Sequence, residues 1–161
     1  MSAELPTSAA RVQAALQRLG MPFQVVTMPS TTGTAQEAAA AIGCTVGQIA
    51  KSILFRGATT GKPILVVASG TNRVNESVVG SVAGEVLEKP KRAADFVREA
   101  TGYVIGGVPP VGFPQPIATF IDEDLLQYET VWAAAGTPFS VFSLDPNALA
   151  VMTGGTVIRV V

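Results

Sequence analysis

Apolar positions along this chain repeat with two periods, and the changes between them mark out its elements. Val12, Ala15, Leu16 and Leu19 follow Ser8 at helical spacing, so a helix capped by Ser8 is predicted up to Gly20. Phe23–Met28 reads as a strand, and Ser30–Gly33 as a polar loop. Thr34 and Glu37 form a T-x-x-E capping box at the head of an Ala-rich helix that stops near Gly43. Thr45–Gln48 adds one further helical turn.

Ile49–Phe55 and Ile64–Ala68 are apolar, β-rich runs separated by the Gly57–Gly61 turn region, which predicts an antiparallel pair. Asn75–Ala83 and Lys91–Ala100 are predicted helices, the first capped by Asn75 and the second ending near Gly102. Strands follow at Ile117–Ile121, Thr130–Ala134 and Phe139–Phe142, with a short acidic turn at Asp122–Leu126. Asp145-Pro146 opens a last helix, with Asp as the cap and Pro at its first position, and Thr156–Val160 closes as a strand. Strands neither alternate strictly with helices nor cluster apart from them. The expected class is α/β: a single domain over residues 1–161, with one mixed, curved sheet surrounded by helices.

Composition narrows the chemistry. The 161 residues are 48% hydrophobic, and the mean hydropathy is +0.40. Much of that comes from small residues. The longest apolar runs fall far short of the ~20 residues a membrane helix needs. No basic stretch followed by an apolar core begins the chain, so a soluble cytoplasmic protein is expected. Net charge is −1, unlike a duplex-coating nucleic-acid binder. Lys89, Lys91 and Arg92 cluster as a solvated helix start.

The chain has no histidine and one cysteine. That excludes a Ser-His-Asp triad, a Cys-His pair, His-based zinc sites and a thiolate zinc site. Cys44 reads as a small apolar residue near a helix end. Any catalysis must rest on Lys, carboxylates, hydroxyls, main-chain dipoles or groups of the substrate. Asp122, Glu123 and Asp124 read as a solvated turn or helix N-terminus, because three consecutive side chains do not easily converge on one ion.

The segment Thr101–Gly112, TGYVIGGVPPVG, packs four glycines and two adjacent prolines into twelve residues. Pro109 and Pro110 fix φ, and Gly106 and Gly107 permit torsions and close approaches that side chains forbid. It reads either as a rigid loop presenting main-chain N–H groups to a ligand or as a tight surface connection. Lys51 lies within the apolar strand IAKSILF. Its ammonium must snorkel to the surface, reach a pocket or be paired. Tyr103 and Trp132 read as core residues.

TGYVIGGVPPVG, IAKSILF and the later VWAAAG resemble the YbaK/prolyl-tRNA synthetase-associated family of aminoacyl-tRNA editing domains, from the first helix to about Leu149. The resemblance implies hydrolysis, in trans, of the ester linking a wrong amino acid to a tRNA acceptor end, commonly tRNA-Pro. It also implies prolyl-tRNA synthetase as a partner and no metal or organic cofactor. By this resemblance Lys51 is the family's functional lysine, and Gly106, Gly107, Val108, Pro109 and Pro110 form its glycine-proline loop. The residues themselves make Thr27, Thr31 and Ser52 secondary candidates for substrate contacts, against the alternative of ordinary strand or loop hydroxyls. Members resembling Cys-tRNA-Pro editors carry Tyr at the end of the first strand, where this chain has Met28, and Asp late in the sheet, at Val141. Both changes make the pocket more apolar and favour a small uncharged amino acid such as alanine. A non-catalytic binder of the same fold and a small-molecule ester hydrolase are the rival readings.

Overall fold

The fold is taken from a computed structural model that describes residues 5–161. Eight strands form one mixed sheet: β1 (Val25–Thr27), β2 (Ile49–Gly57), β3 (Pro63–Ser69), β4 (Leu87–Glu88), β5 (Ala118–Asp122), β6 (Val131–Ala134), β7 (Ser140–Leu144) and β8 (Thr156–Ile158). The helices are α1 (Thr7–Arg18), α2 (Ala35–Ile42), α3 (Glu76–Ala83), α4 (Ala93–Thr101) and α5 (Ala148–Thr153). The sheet order is β1-β7-β6-β2-β3-β5-β8, with β4 paired to β2 off that path. The expected α/β class and mixed sheet with surrounding helices match what is seen.

The β2–β3 hairpin is antiparallel from Ala50↔Ser69 to Arg56↔Pro63. Strand β6 joins β2 in parallel, at Ile49↔Trp132 and Ala50↔Ala133 only. Strand β4 takes up the same edge at Arg56 and Gly57. Between these two contacts, β2 has no neighbour on that side.

Apolar residues cover both faces of the sheet. On one face Ala50, Leu54, Leu65 and Val67 pack with Val12 and Leu16 of α1 and Leu149 of α5. On the other, Phe55, Ile64, Val66 and Ala68 pack with Val79 of α3. A third cluster sets Ala38 and Ala39 of α2 on Ile49, with Cys44 and Trp132 partly buried against it. Burial pushes the Cys44 thiol up, away from a reactive thiolate.

Local chemistry explains the boundaries. Thr34 accepts the Glu37 amide at 3.1 Å, and Gly43 ends α2 in the left-handed region. Asn75 caps α3 by accepting from Ser77 and Val78. Helix α1 starts before the expected cap: Pro6 precedes its first turn, and Ser8 lies inside the helix. The strand expected at Phe23–Met28 shrinks to three residues, and that at Phe139–Phe142 shifts to Ser140–Leu144. At the last helix Asp145 accepts the Asn147 amide at 2.9 Å, and the helix proper opens at Ala148.

Candidate functional site

A cleft of about 720 Å³ opens where β2 loses its neighbour. Side chains of alternate residues on β2 leave opposite faces of the sheet. Lys51 therefore projects with Ile53 and Phe55, and Ser52 with Ala50 and Leu54. All six border the cleft, which straddles this open edge.

Lys51 is half-buried, and its Nζ donates to the carbonyl of Gly70 at 3.5 Å. Burial lowers its pKa, and the nearby Asp122 carboxylate pulls it part of the way back up. Its acceptor, Gly70, is held tightly: a Cβ there would come within 2.2 Å of the Val46 carbonyl. Asp122 completes the clamp. Its Oδ2 accepts from Ser69 N at 3.0 Å and from Asn72 Nδ2 at 2.8 Å, and its Oδ1 accepts Asp124 N at 2.9 Å. Of the two readings for the acidic triplet, the helix N-terminus is what is seen, and only the solvation of Asp122 is corrected. Asp122 is 1% exposed and caps a 3-10 turn over Glu123–Gln127, because its oxygens replace water with main-chain donors.

The glycine-proline loop forms the opposite wall. Val104–Gly107 is a turn closed by Gly107 N donating to Val104 O at 3.0 Å. Gly106 holds φ +87° at its third position, the torsion that a type II turn requires there. Gly107 serves packing: a Cβ on it would lie 2.9 Å from the Thr137 main chain, and its carbonyl accepts Gly136 N at 2.8 Å. Tyr103, 2% exposed, ties the loop ends together by donating its hydroxyl to Gly112 O at 3.2 Å. The Arg11 guanidinium sits 4.7 Å above its ring.

The amide expected from Gly107 is therefore committed within the turn. The amides of Gly106 and Val108 make no hydrogen bond among the described residues, and both residues border the cleft. Lys51, Ser52, Gly106, Val108 and Val141 are thus brought together. Pro109 and Pro110 are buried behind the loop, outside the cleft lining. Thr27, Met28 and Thr31 also stand outside it. Met28 N bonds Phe139 O, and the Thr31 hydroxyl is used locally, accepting from Gly33 N and donating to Pro138 O.

Two further cleft residues, Thr32 and Glu76, carry no site reading from the sequence. Thr32 Oγ1 and Glu76 Oε1, like the Ser52 hydroxyl, are buried on its walls without a hydrogen-bond partner among the described residues. Arg73 and Lys89 stand at its border and Trp132 on its wall. Only the neighbouring TNRVN and EKPK runs hinted at such polar positions. No helix among the described residues is long and apolar enough to cross a membrane.

Comparison with known proteins follows the same outline. The protein YwhH of Bacillus subtilis is 31% identical over 125 residues, 78% of each chain. An Enterococcus faecalis protein named "Putative Cys-tRNA(Pro)/Cys-tRNA(Cys) deacylase EbsC" is 26% identical, over 76% of this chain and 73% of that one. A crystal structure described as "a putative trans-editing enzyme for prolyl tRNA synthetase" superposes with a TM-score of 0.89 at 44% identity, covering 97% of this chain and 98% of that one. The model of the aminoacyl-tRNA editing domain matches residues 29–151, and the chain belongs to that family.

Proposed function

We propose that this chain is an aminoacyl-tRNA deacylase acting in trans, on tRNA-Pro carrying a small uncharged amino acid such as alanine. One observation carries the reading: the Lys51 ammonium and the unbonded amides of Gly106 and Val108 border one cleft of about 720 Å³, within the range of small-molecule sites.

An aminoacyl ester is already activated, so the demands are modest. Water adds to the ester carbonyl, and negative charge develops on its oxygen. The Gly106 and Val108 amides are the donors suited to that oxygen. Each such donor is worth roughly 10²–10³ in rate. Their loop is braced by Pro109, Pro110 and the Tyr103–Gly112 bond, so little reorganisation accompanies the reaction. The acyl–oxygen bond then breaks, and the ribose oxygen leaves with a proton. The vicinal ribose hydroxyl is placed by the substrate's own chemistry to help activate the water. Lys51 binds the terminal phosphate or the ester carbonyl oxygen as a cation.

Val141, 2% exposed, lines the cleft with Ala133 and Ala134 and gives it an apolar wall. That wall favours an aliphatic amino acid over a polar one. The acidic chain has few cations for the rest of the tRNA, so prolyl-tRNA synthetase is the proposed partner that supplies the remaining grip.

The test is a panel of mischarged tRNAs incubated with the purified protein, with release of each amino acid measured. Fastest release from alanyl-tRNA-Pro is expected. Absence of release from every charged tRNA overturns the reading and leaves a binding protein of the same fold.

A further inference from the structure

Strand β2 carries main-chain groups that no other element uses. Its pairing with β3 fixes which way they point. Gly57 N bonds Lys62 O at 2.9 Å, so that pair exchanges hydrogen bonds toward β3. Pairs alternate along an antiparallel ladder. Arg56↔Pro63 is consequently a pair without mutual bonds, consistent with the missing donor of proline. Counting back, Ala50, Ser52, Leu54 and Arg56 point their N–H and C=O groups away from β3. The outer neighbours agree: β6 meets Ala50, β4 meets Arg56, and Ala58 N bonds Val86 O at 2.8 Å on the β4 side.

That leaves Ser52 and Leu54. Ladder pairing with β6 ends at Ala50↔Ala133, and with β4 at Arg56↔Glu88. Pro90, two residues beyond Glu88, has no N–H to offer the Leu54 carbonyl. Neither residue's amide or carbonyl has a partner on this side among the described residues. Both face the cleft, and the Ser52 hydroxyl beside them is itself buried without a partner. Unpaired main-chain groups at a sheet edge need a partner, and those turned into a cleft take one from its ligand.

The shape of the gap selects the ligand. Three residues of strand span about 10 Å at ~3.3 Å each, closed by β6 at one end and Pro90 at the other. That is too short for an added peptide strand and wide enough for one planar ring system. The Ser52 carbonyl and the Leu54 amide flank Ile53 and present an acceptor beside a donor. Adenine carries the complement, an exocyclic N6–H donor beside the N1 acceptor, whereas hypoxanthine and guanine carry the reverse order.

We infer that the open edge of β2 reads the adenine of the substrate's 3′-terminal adenosine, with Ser52 O accepting from N6 and Leu54 N donating to N1. This deepens the proposed deacylase reading and rests on it. The identity of the terminal base is then checked by main-chain atoms that no side-chain substitution alters. The site also gives the nucleoside a fixed orientation relative to Lys51 and the glycine-proline loop.

Two measurements test it. In the first, adenosine 5′-monophosphate and inosine 5′-monophosphate are titrated separately into the 15N-labelled protein. The expected result is a shift and slowed hydrogen exchange of the Leu54 amide with the adenine nucleotide and not with the hypoxanthine one. No change at Leu54, or the same change with both, overturns the inference whatever the activity. In the second, nucleoside esters carrying the amino acid released fastest from tRNA are compared. The inosine ester is expected to fall by at least ~100-fold and the 1-deazaadenosine ester by ~10-fold relative to adenosine, because a site built for hydrogen bonds rejects analogues that leave its groups unpaired. Equal turnover of the three overturns base reading while deacylation stands. No release from any tRNA defeats the deacylase reading instead, and the Leu54 amide still decides whether adenine docks there.

Discussion

The carboxylate of Asp122 accepts the amide of Ser69 at 3.0 Å, at the point where β3 hands the chain to the turn that holds Lys51. Ser69 precedes Gly70, whose carbonyl receives the lysine ammonium. A buried residue with no place on the cleft lining thus sets the position of the charged group that has one. Replacing Asp122 by Ala strips partners from Ser69 N, Asn72 and Asp124 N at once. A loss of about 3 kcal/mol in unfolding free energy is expected, because buried donors are left unpaired. Urea denaturation measures it, and a loss under about 0.5 kcal/mol, the range of ordinary surface changes, counts against the clamp.

Lys51→Ala should separate activity from stability. Deacylation is expected to drop by about 100-fold, the scale of one electrostatic contact in the transition state. The melting temperature should hold or rise, since the half-buried ammonium is desolvated. A variant that keeps full activity removes Lys51 from the mechanism.

The same lysine predicts a pH dependence with a definite sign. Burial lowers its pKa below the ordinary 10.5. The cation is lost as pH rises through that lowered value. After subtraction of spontaneous ester hydrolysis, kcat/KM should fall on the alkaline side earlier than a free lysine allows. Asp122→Asn removes the charge that holds the pKa up, so the fall should move to still lower pH. An unmoved alkaline limb in that variant disproves the coupling.

Gly106 and Gly107 are adjacent yet should fail differently. Gly106→Ala strains a residue at φ +87°, at a cost of about 1–2 kcal/mol. Asn at that position should recover part of the loss, because Asn tolerates the left-handed region. Gly107→Ala instead drives a methyl into the Thr137 main chain, a steric cost of about 1–3 kcal/mol that Asn makes worse. Thermal denaturation of the four variants gives the comparison. Rescue by Asn at both positions, or at neither, contradicts these separate roles.

The sequence disclosed most of what local chemistry encodes. Thr34 with Glu37, Asn75 and the β2–β3 hairpin were legible because capping and apolar runs act over a few residues. Strand β4 was not: Leu87–Glu88 is two residues long and exists only because Arg56 and Gly57 offer it an edge. The polar lining at Thr32 and Glu76 was equally hidden, since burial without a partner arises from packing between distant segments. For the same reason the Gly-Gly pair announced a shaped loop, while the commitment of the Gly107 amide to Val104 became visible only in three dimensions.

Val141 offers the sharpest check on substrate choice. It is 2% exposed and sits on β7 between its cross-strand partners Val26 and Ala134, the latter also bordering the cleft. Val141→Ala removes two methyl groups from the cleft wall. The protein should lose about 1–3 kcal/mol of stability, as for other truncations in packed surroundings. The enlarged wall should raise release of a larger aliphatic amino acid relative to alanine by roughly 10-fold, within the range one methylene commands in an apolar pocket. The measurement is the ratio of kcat/KM for valyl- and alanyl-tRNA-Pro in the two proteins. A ratio that stays fixed while stability falls places the amino-acid side chain elsewhere in the cleft.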